Sequence, residues 1–585
     1  MSAVTRRRQN NTGPLIGFLL VVVAAVVFFM AVLPLGEKWA GRGYENSPQS
    51  TLSVLYEMSS GVRPWTEANT WAVLLWFGLP LLAALTIWGA VALTRPQRRE
   101  IDRAARYMGR GRQIEPLTRK AVAKKAARLG IPDTKYPGVL LARHIPSGAL
   151  LFQSFEDTCV DIRGPRAGKS TSRAIPAILQ ALGAVLVTEN KPELFQVCAK
   201  ARRKTGQVFL FDPQRITGTG ACPAMFFNPL STVHCIEDAE ALAKIFDDAT
   251  SSVDARSDGY FAPAGLTVVA DYLLAAALSG QYMDTVFQWV NSPLNQEPAD
   301  ILTRHGESGL AARVAETQKI TDKTRGIIFS EARRIVGFLQ SKSLLEWLTP
   351  GPGKKEFVPS EFAASTTDTL FLLSQEGSGT AGPVIAALTK AVFNAAEIVA
   401  AGTGTGRLPV PLLAVLDEAA NICRIKDLPE KYSHYGSKGI LPMVLLQSYE
   451  QGEEVWGRGG MAKMWSAANV RIYGGNAVSP QFLSDLEKLV GTYEYKEAVV
   501  SYGSQGKSTS YQTKTDSILS VSDLASVPGD RMIILAGQSR PTLAMSLPWY
   551  KDRALKKLVK SASKIPVTEP VATPESSSEA KAAIS

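Results

Sequence analysis

Cysteine is scarce: the chain has five in 585 residues, Cys159, Cys198, Cys222, Cys235 and Cys423. They form no Cys-x-x-Cys pair and no metal spacing, and their number is odd. A disulfide framework is therefore excluded, and a reduced, cytoplasmic compartment is the natural setting. Histidine is as sparse, and His144, His234, His305 and His434 are too dispersed to compose a metal centre. No internal repeat is present, which sets aside repeat architectures. Acidic residues are few between Arg95 and Arg128, where Glu100, Asp102 and Glu115 face twelve bases.

Long apolar runs, by contrast, are present twice. Residues 15–33 carry no charge, and residues 71–93 include Trp71, Trp76 and Trp88 as interfacial anchors. Each meets the length of about 20 residues that a bilayer span requires. The first run is too long for a signal-peptide core and no Ala-x-Ala-like site follows it, so it reads as an uncleaved anchor. Arg6, Arg7 and Arg8 precede the first span, and Arg95, Arg98 and Arg99 follow the second. The loop between them holds Glu37, Glu45, Glu57 and Glu67. The positive-inside rule then places both termini in the cytoplasm and the short loop outside. The net charge of +11 is concentrated in the basic stem that follows. Beside a bilayer such a stem meets anionic lipid heads, at about 1 kcal/mol per base; nucleic acid is the alternative.

Two distant segments read as halves of one nucleotide site. The first is Gly164, Pro165, Arg166, Ala167, Gly168, Lys169, Ser170 and Thr171, preceded by the β-prone residues 158–162 and followed by a helix-compatible stretch. A glycine-rich turn before a helix turns backbone N–H groups toward phosphates, and the lysine neutralises their charge. The second is the apolar run 412–416 ending in Asp417 and Glu418. Ser170 or Thr171 is placed to hold Mg²⁺, Asp417 to complete the metal shell, and Glu418 to orient water. The loop departs from Gly-x-x-x-x-Gly-Lys-Ser/Thr, because Arg163 stands at the first glycine and Gly164 comes one place late.

Strand patterns at 183–188 and 207–213 alternate with helical stretches, which argues for a three-layer α/β domain. Alanine- and leucine-rich helical spacing dominates 237–348 and strand signals resume at 369–373, so the helical part is an insertion within the nucleotide domain. Further strands are expected at 441–446, 470–476 and 531–536. The boundaries are a cytoplasmic N-terminus over 1–14, a transmembrane hairpin with short external loop over 15–94 and a basic stem over 95–137. The nucleotide-binding domain occupies 138–236 and 349–555 around the all-α insertion of 237–348, and a disordered tail covers 556–585.

The ordered set of motifs resembles the type IV coupling proteins, inner-membrane ATPases of conjugation and type IV secretion of the TraG/TraD kind. It comprises the phosphate loop 164–171, Asn190-Lys191-Pro192-Glu193, Phe211-Asp212-Pro213 and Phe227-Asn228-Pro229-Leu230. Leu416-Asp417-Glu418-Ala419-Ala420-Asn421 and Gly436-Ser437-Lys438-Gly439, leading to Gln447-Ser448, complete it. The tryptophan-bearing segments around Trp456 and Trp465 resemble actinobacterial versions. The resemblance implies a RecA-like P-loop NTPase domain with an inserted all-α domain behind a two-helix membrane hairpin. It also implies a homo-oligomeric ring, usually of six, in a bacterial inner membrane. Such rings bind ATP and Mg²⁺ and pass DNA, often with a relaxase, toward type IV secretion channel proteins.

By matching motifs, Lys169 and Ser170 bind phosphate and Mg²⁺, Asp417 is the metal ligand, Glu418 the catalytic base and Gln447 the γ-phosphate sensor. A ring ATPase also draws an arginine from its neighbour, and Arg424, Arg471 and Arg540 are open candidates. The resemblance does not carry over a role for Asn190-Lys191-Pro192. Two other readings stand beside this one: a motor of the same superfamily that moves protein substrates or chromosomal DNA, and a non-hydrolysing receptor that docks substrate.

Overall fold

In the computed structural model the described residues are 99–131, 136–218, 223–250, 259–377, 381–476, 479–503 and 506–563, with 34, 38, 51–62, 64–72, 74, 85 and 86 nearer the N-terminus. The chain divides into two bodies, Met1–Arg98 and Arg99–Ser585. In the first, a helix spans Thr51–Ser59. The expected membrane runs 15–33 and 71–93 fall mostly outside the described residues, and the tail beyond 563 wholly so.

The second body is organised by an eleven-stranded sheet. Its central strands read as unbroken apolar runs because helices cover both faces, the signature of a buried parallel sheet. In chain order the strands are β1 (Val139–His144), β2 (Leu150–Gln153), β3 (Cys159–Ile162), β4 (Val185–Glu189) and β5 (Val208–Phe211). A short pair follows, β6 (Met225–Phe226) with β7 (Lys355–Glu356), then β8 (Thr369–Leu373), β9 (Leu412–Asp417), β10 (Ile440–Leu446) and β11 (Val470–Tyr473). The last are β12 (Thr492–Gly503), β13 (Gly506–Ser517), β14 (Arg531–Ala536) and β15 (Thr542–Met545). The spatial order is β2-β1-β15-β14-β11-β3-β10-β9-β4-β8-β5. From β11 to β5 every pairing is parallel, whereas β14, β15, β1 and β2 extend the β11 edge antiparallel. Every residue of β9 and β10 is buried.

The stretch between β6 and β7 is helical. Ile236–Thr250, Phe261–Leu278, Met283–Val290, Glu297–Arg304, Ser308–Lys319 and Asp322–Ile335 pack around Phe246, Tyr272, Trp289 and Phe329, and this core is continuous with one face of the sheet. Phe261–Leu278 and Gly382–Ala401 are long and apolar enough to cross a membrane, but both are largely buried in this body and serve as core helices.

Three features depart from the sequence reading. From Arg99 on, the basic stem is part of the α/β body. Asp102 accepts from Arg531 at the start of β14 through two bonds of 2.7 and 2.9 Å, and Gly109 accepts from His144 and from Thr542. Burial acts to raise the Asp102 carboxyl, but the Arg531 bonds and charge hold it below its usual value. Second, β12 and β13 form a two-stranded hairpin of their own, at whose base Tyr493 stacks on Tyr107 at 4.0 Å. Third, residues 556–563, expected within the disordered tail, belong to a helix spanning Arg553–Ser563. That helix buries Leu555 and Ala562 and packs against the helix Glu193–Arg202, because its apolar residues recur at helical spacing.

Candidate functional site: a nucleotide cleft at the strand ends

Ligands of open α/β sheets bind beyond the carboxyl ends of parallel strands, and four such ends meet here. β3 leads into the phosphate loop, β9 ends at Asp417, β10 is followed by Gln447 and β4 ends at Glu189. β10 lies between β3 and β9, so Gln447 emerges between the loop and the acidic pair. The cleft they frame has a volume of about 460 Å³ and is lined by residues 163–166 and 168–171, Glu189, Asn190, Lys191, Glu193, Leu194, Asp417, Glu418 and Gln447. Ala167 is buried behind it.

The loop geometry follows from its small residues. Gly168 has φ +75°, a left-handed conformation glycine adopts without strain. Gly164 lies so close to the chain after β11 that a Cβ there would sit 1.9 Å from the carbonyl oxygen of Asn476. Gly164→Ala is therefore expected to displace the loop, lowering stability by about 1–3 kcal/mol and weakening nucleotide binding; thermal melts and titrations with an ATP analogue check both. The amides of Gly168, Lys169 and Ser170 donate to no backbone carbonyl in the loop, which leaves them available to an anion. Ser170–Ala174 form a turn of wide helix that continues as Ile175–Gln180.

Four of the expected residues converge. Lys169 Nζ lies 2.6 Å from Glu418 Oε1 and 3.1 Å from Asp417 Oδ1. Gln447 Nε2 donates to the same Glu418 oxygen at 2.8 Å. Burial would lower the Lys169 ammonium, but the charges of Asp417 and Glu418 outweigh it and the group is raised. Burial pushes the Asp417 carboxyl up despite Lys169. Glu418 has φ +53°, a sparsely populated conformation for a side-chain-bearing residue and one that clusters at functional sites.

Arg163 does not enter the cradle. Its side chain is wholly buried and pairs with Asp161 on β3 at 2.7 Å, so the substitution at the first glycine leaves the cleft side of the loop clear. The three arginines considered for a neighbouring site do not line this cleft. Arg424 donates to Ala420 O at 2.9 Å, Arg471 Nε is buried without a hydrogen-bond partner, and the Arg540 amide donates to Gln113 O.

Sequence reasoning missed three residues. Asn421 Nδ2 donates to Glu418 Oε2 at 3.3 Å and to Glu376 Oε1 at 3.0 Å, and Asn190 also donates to Glu376. Glu418 is thus held by Lys169 and Gln447 on one oxygen and by Asn421 on the other. Glu189 accepts from the amides of Leu194 and Phe195 at 2.8 and 2.9 Å, closing the start of the next helix. The only sequence signals were the position of Asn421 inside a motif and of Glu189 at a strand end.

Burial pushes the Glu189 carboxyl up to about 8, against the two amide bonds that favour its charge. A carboxyl raised on folding contributes stability that is present below its unfolded pKa and lost as pH rises through the folded one. Nucleotide-free protein is therefore expected to lose stability between about pH 5 and pH 8. Glu189→Gln should flatten that slope in melting curves.

A parallel sheet with a phosphate loop after one strand, an acidic pair at the end of another and a glutamine between them defines a P-loop nucleotide-binding domain. Residues 140–322 match the family described as type IV secretory system conjugative DNA transfer, and residues 411–529 match the family described as the TraM recognition site of TraD and TraG. No curated protein matches the chain. Among solved structures, the bacterial conjugative coupling protein TrwB without its first 70 residues superimposes with a TM-score of 0.52 at 13% identity, over 74% of this chain and 92% of that one. The plasmid coupling protein TrwB in complex with the ATP analogue ADPNP gives 0.50 at 14%, over 72% and 92%. TrwB with ADP and Mg²⁺ gives 0.51 at 13%, over 75% and 94%. The chain belongs to the type IV coupling protein family of conjugative DNA transfer.

Proposed function

We propose that this chain is a membrane-anchored ring ATPase, a hexamer on family grounds. It would couple Mg²⁺-dependent ATP hydrolysis to the recruitment of DNA with its relaxase and to their passage into a type IV secretion channel. The observation that carries this reading is the convergence of Lys169, Asp417, Glu418 and Gln447 on one cleft beside residues 164–171. The solved coupling proteins with ADPNP and with ADP and Mg²⁺ share this fold. Support for the membrane anchor is the pair of apolar runs at 15–33 and 71–93 with their basic flanks.

The residues present fit Mg²⁺. Asp417 Oδ1 is buried and, beyond its contact with Lys169, has no hydrogen-bond donor. Among the described residues no group of three His, Cys, Asp or Glu is gathered as a self-sufficient metal centre. That suits an ion carried in largely by phosphate oxygens. Ser170 and Asp417 would hold it, and it would neutralise charge on the transferred phosphoryl group. Lys169 exchanges its carboxylate partners for the β- and γ-phosphates. Glu418, so released, accepts a proton from the attacking water, Gln447 contacts the γ-phosphate, and the free amides of the loop bind the remaining oxygens.

The one departure from the phosphate-loop pattern that would favour a docking receptor, Arg163, has its side chain wholly buried against Asp161. ATP turnover by the purified full chain in detergent, with and without DNA, tests the proposal. DNA-stimulated hydrolysis is expected. Turnover indifferent to DNA but raised by a secreted protein would favour the protein-moving motor, and binding without turnover would favour the receptor. If the exposed cations of the stem contact DNA phosphates, affinity should also fall steeply with salt; a flat response removes the stem from the DNA path.

A further inference from the structure

Beneath the phosphate loop lies a cluster of charges that no part of the nucleotide chemistry uses. Asp161 on β3, Arg163 at the end of that strand and Arg173 in the first turn after the loop are all wholly buried. Arg163 grips Asp161 through both carboxylate oxygens, Nε to Oδ1 at 2.7 Å and Nη2 to Oδ2 at 3.2 Å. Arg173 Nε reaches Oδ2 of the same carboxylate at 3.0 Å. The outer guanidinium nitrogens are engaged as well, Arg163 Nη1 with Ser546 Oγ at 3.2 Å and Arg173 Nη1 with Leu140 O at 2.7 Å. Room for the Arg163 stem comes from Gly474, where a Cβ would lie 2.5 Å from Arg163 Cγ.

We propose that Asp161 is the positioning residue of the phosphate loop: one buried carboxylate ties the residue before the loop to the first helical turn after it, fixing the distance between its two stems. The proposal rests on the nucleotide reading of the cleft and deepens it. A glycine-rich loop presents its amides to phosphate only while its ends are held, and displacement of a binding group by about 1 Å costs up to 10²-fold. The strand and the helix here are pinned to each other by ionic hydrogen bonds, whose bidentate form fixes direction as well as distance. Two guanidiniums share a single carboxylate, so replacing one of them leaves a balanced pair rather than an orphaned charge. That makes the clamp testable without dismantling the core.

The experiment uses the full chain in detergent and a fluorescent ATP analogue with Mg²⁺. Arg163→Met is expected to bind the analogue about tenfold more weakly, with an unchanged or higher melting temperature in the absence of nucleotide. Hydrogen exchange should quicken at the bonded amides of Ala167 and Ser172 while β3 stays protected, and the affinity of Arg163→Lys should fall between wild type and Arg163→Met. Arg173→Met leaves the same one-to-one pair and reads the clamp from the other stem, so it carries the test if Arg163→Met fails to fold. Affinity equal to wild type in a folded variant, or a lower melting temperature with affinity intact, overturns the proposal and leaves the cluster as core structure. Wild type that binds no analogue overturns the site itself, an outcome distinct from failure of the clamp.

Discussion

Lys169→Ala is expected to lower ATP turnover by about 10²–10³-fold and to weaken nucleotide binding with it, as measured by steady-state hydrolysis and by titration with a non-hydrolysable analogue. Lys169 Nζ is the cation already held over the acidic pair, at 2.6 and 3.1 Å from two carboxylates. The nucleotide-free protein should also suffer. Without the ammonium, Asp417 and Glu418 stand side by side in a buried place with no counter-charge, a loss of up to about 3 kcal/mol. Burial has already pushed Asp417 up, and Lys169 is a force pulling it down. Removing that force raises Asp417 further, so the variant's deficit should shrink as pH falls and Asp417 takes up a proton. Melting curves of variant and wild type at pH 5 and pH 8 should therefore converge at the acid end.

Glu418→Gln should separate binding from chemistry. The amide oxygen can still accept from Lys169 and Gln447, which now meet Glu418 Oε1, and only the longer 3.3 Å bond from Asn421 to the other oxygen is lost, so the pocket keeps its shape. Loss of the carboxylate removes like charge beside Asp417 and should leave ATP affinity unchanged or tighter. A proton acceptor for water is gone, and hydrolysis should fall by about 10²–10³-fold. Filter binding with labelled ATP should show a stable, unhydrolysed complex. Equal loss of affinity and turnover would mean that Glu418 holds substrate and does not serve as the base.

These two variants concern residues that the sequence made visible, because each lies where local pattern and chemistry coincide. Buried parallel strands read as apolar runs, so an acidic pair at the end of one stands out, as Asp417 and Glu418 do, and Lys169 stands out in its glycine-bearing loop. The meaning of Arg163 could not be read that way. Its partners are Asp161 two positions back, a carboxylate it shares with Arg173 ten positions on, and Ser546 from far along the chain, and its space is made by Gly474. Only the folded sheet brings them together. The antiparallel extension β14, β15, β1 and β2 was hidden for the same reason, since it joins segments about 400 residues apart, as in the pairing of Arg143 with Met545. The hairpin of β12 and β13 escaped notice because its strands lack an apolar face. Asn421 and Glu376 meet across 45 positions, a separation at which no local spacing carries information.

The central claim is that one triphosphate sits between residues 164–171 and the acidic pair at the end of β9. A crystal or cryo-EM structure of the full chain with Mg²⁺ and a non-hydrolysable ATP analogue tests it most directly. The account predicts phosphates against the amides of Gly168, Lys169 and Ser170, with Lys169 Nζ moved off Glu418 onto them and Asp417 facing the ion. Nucleotide bound elsewhere, with Lys169 still lying across Asp417 and Glu418, would contradict it.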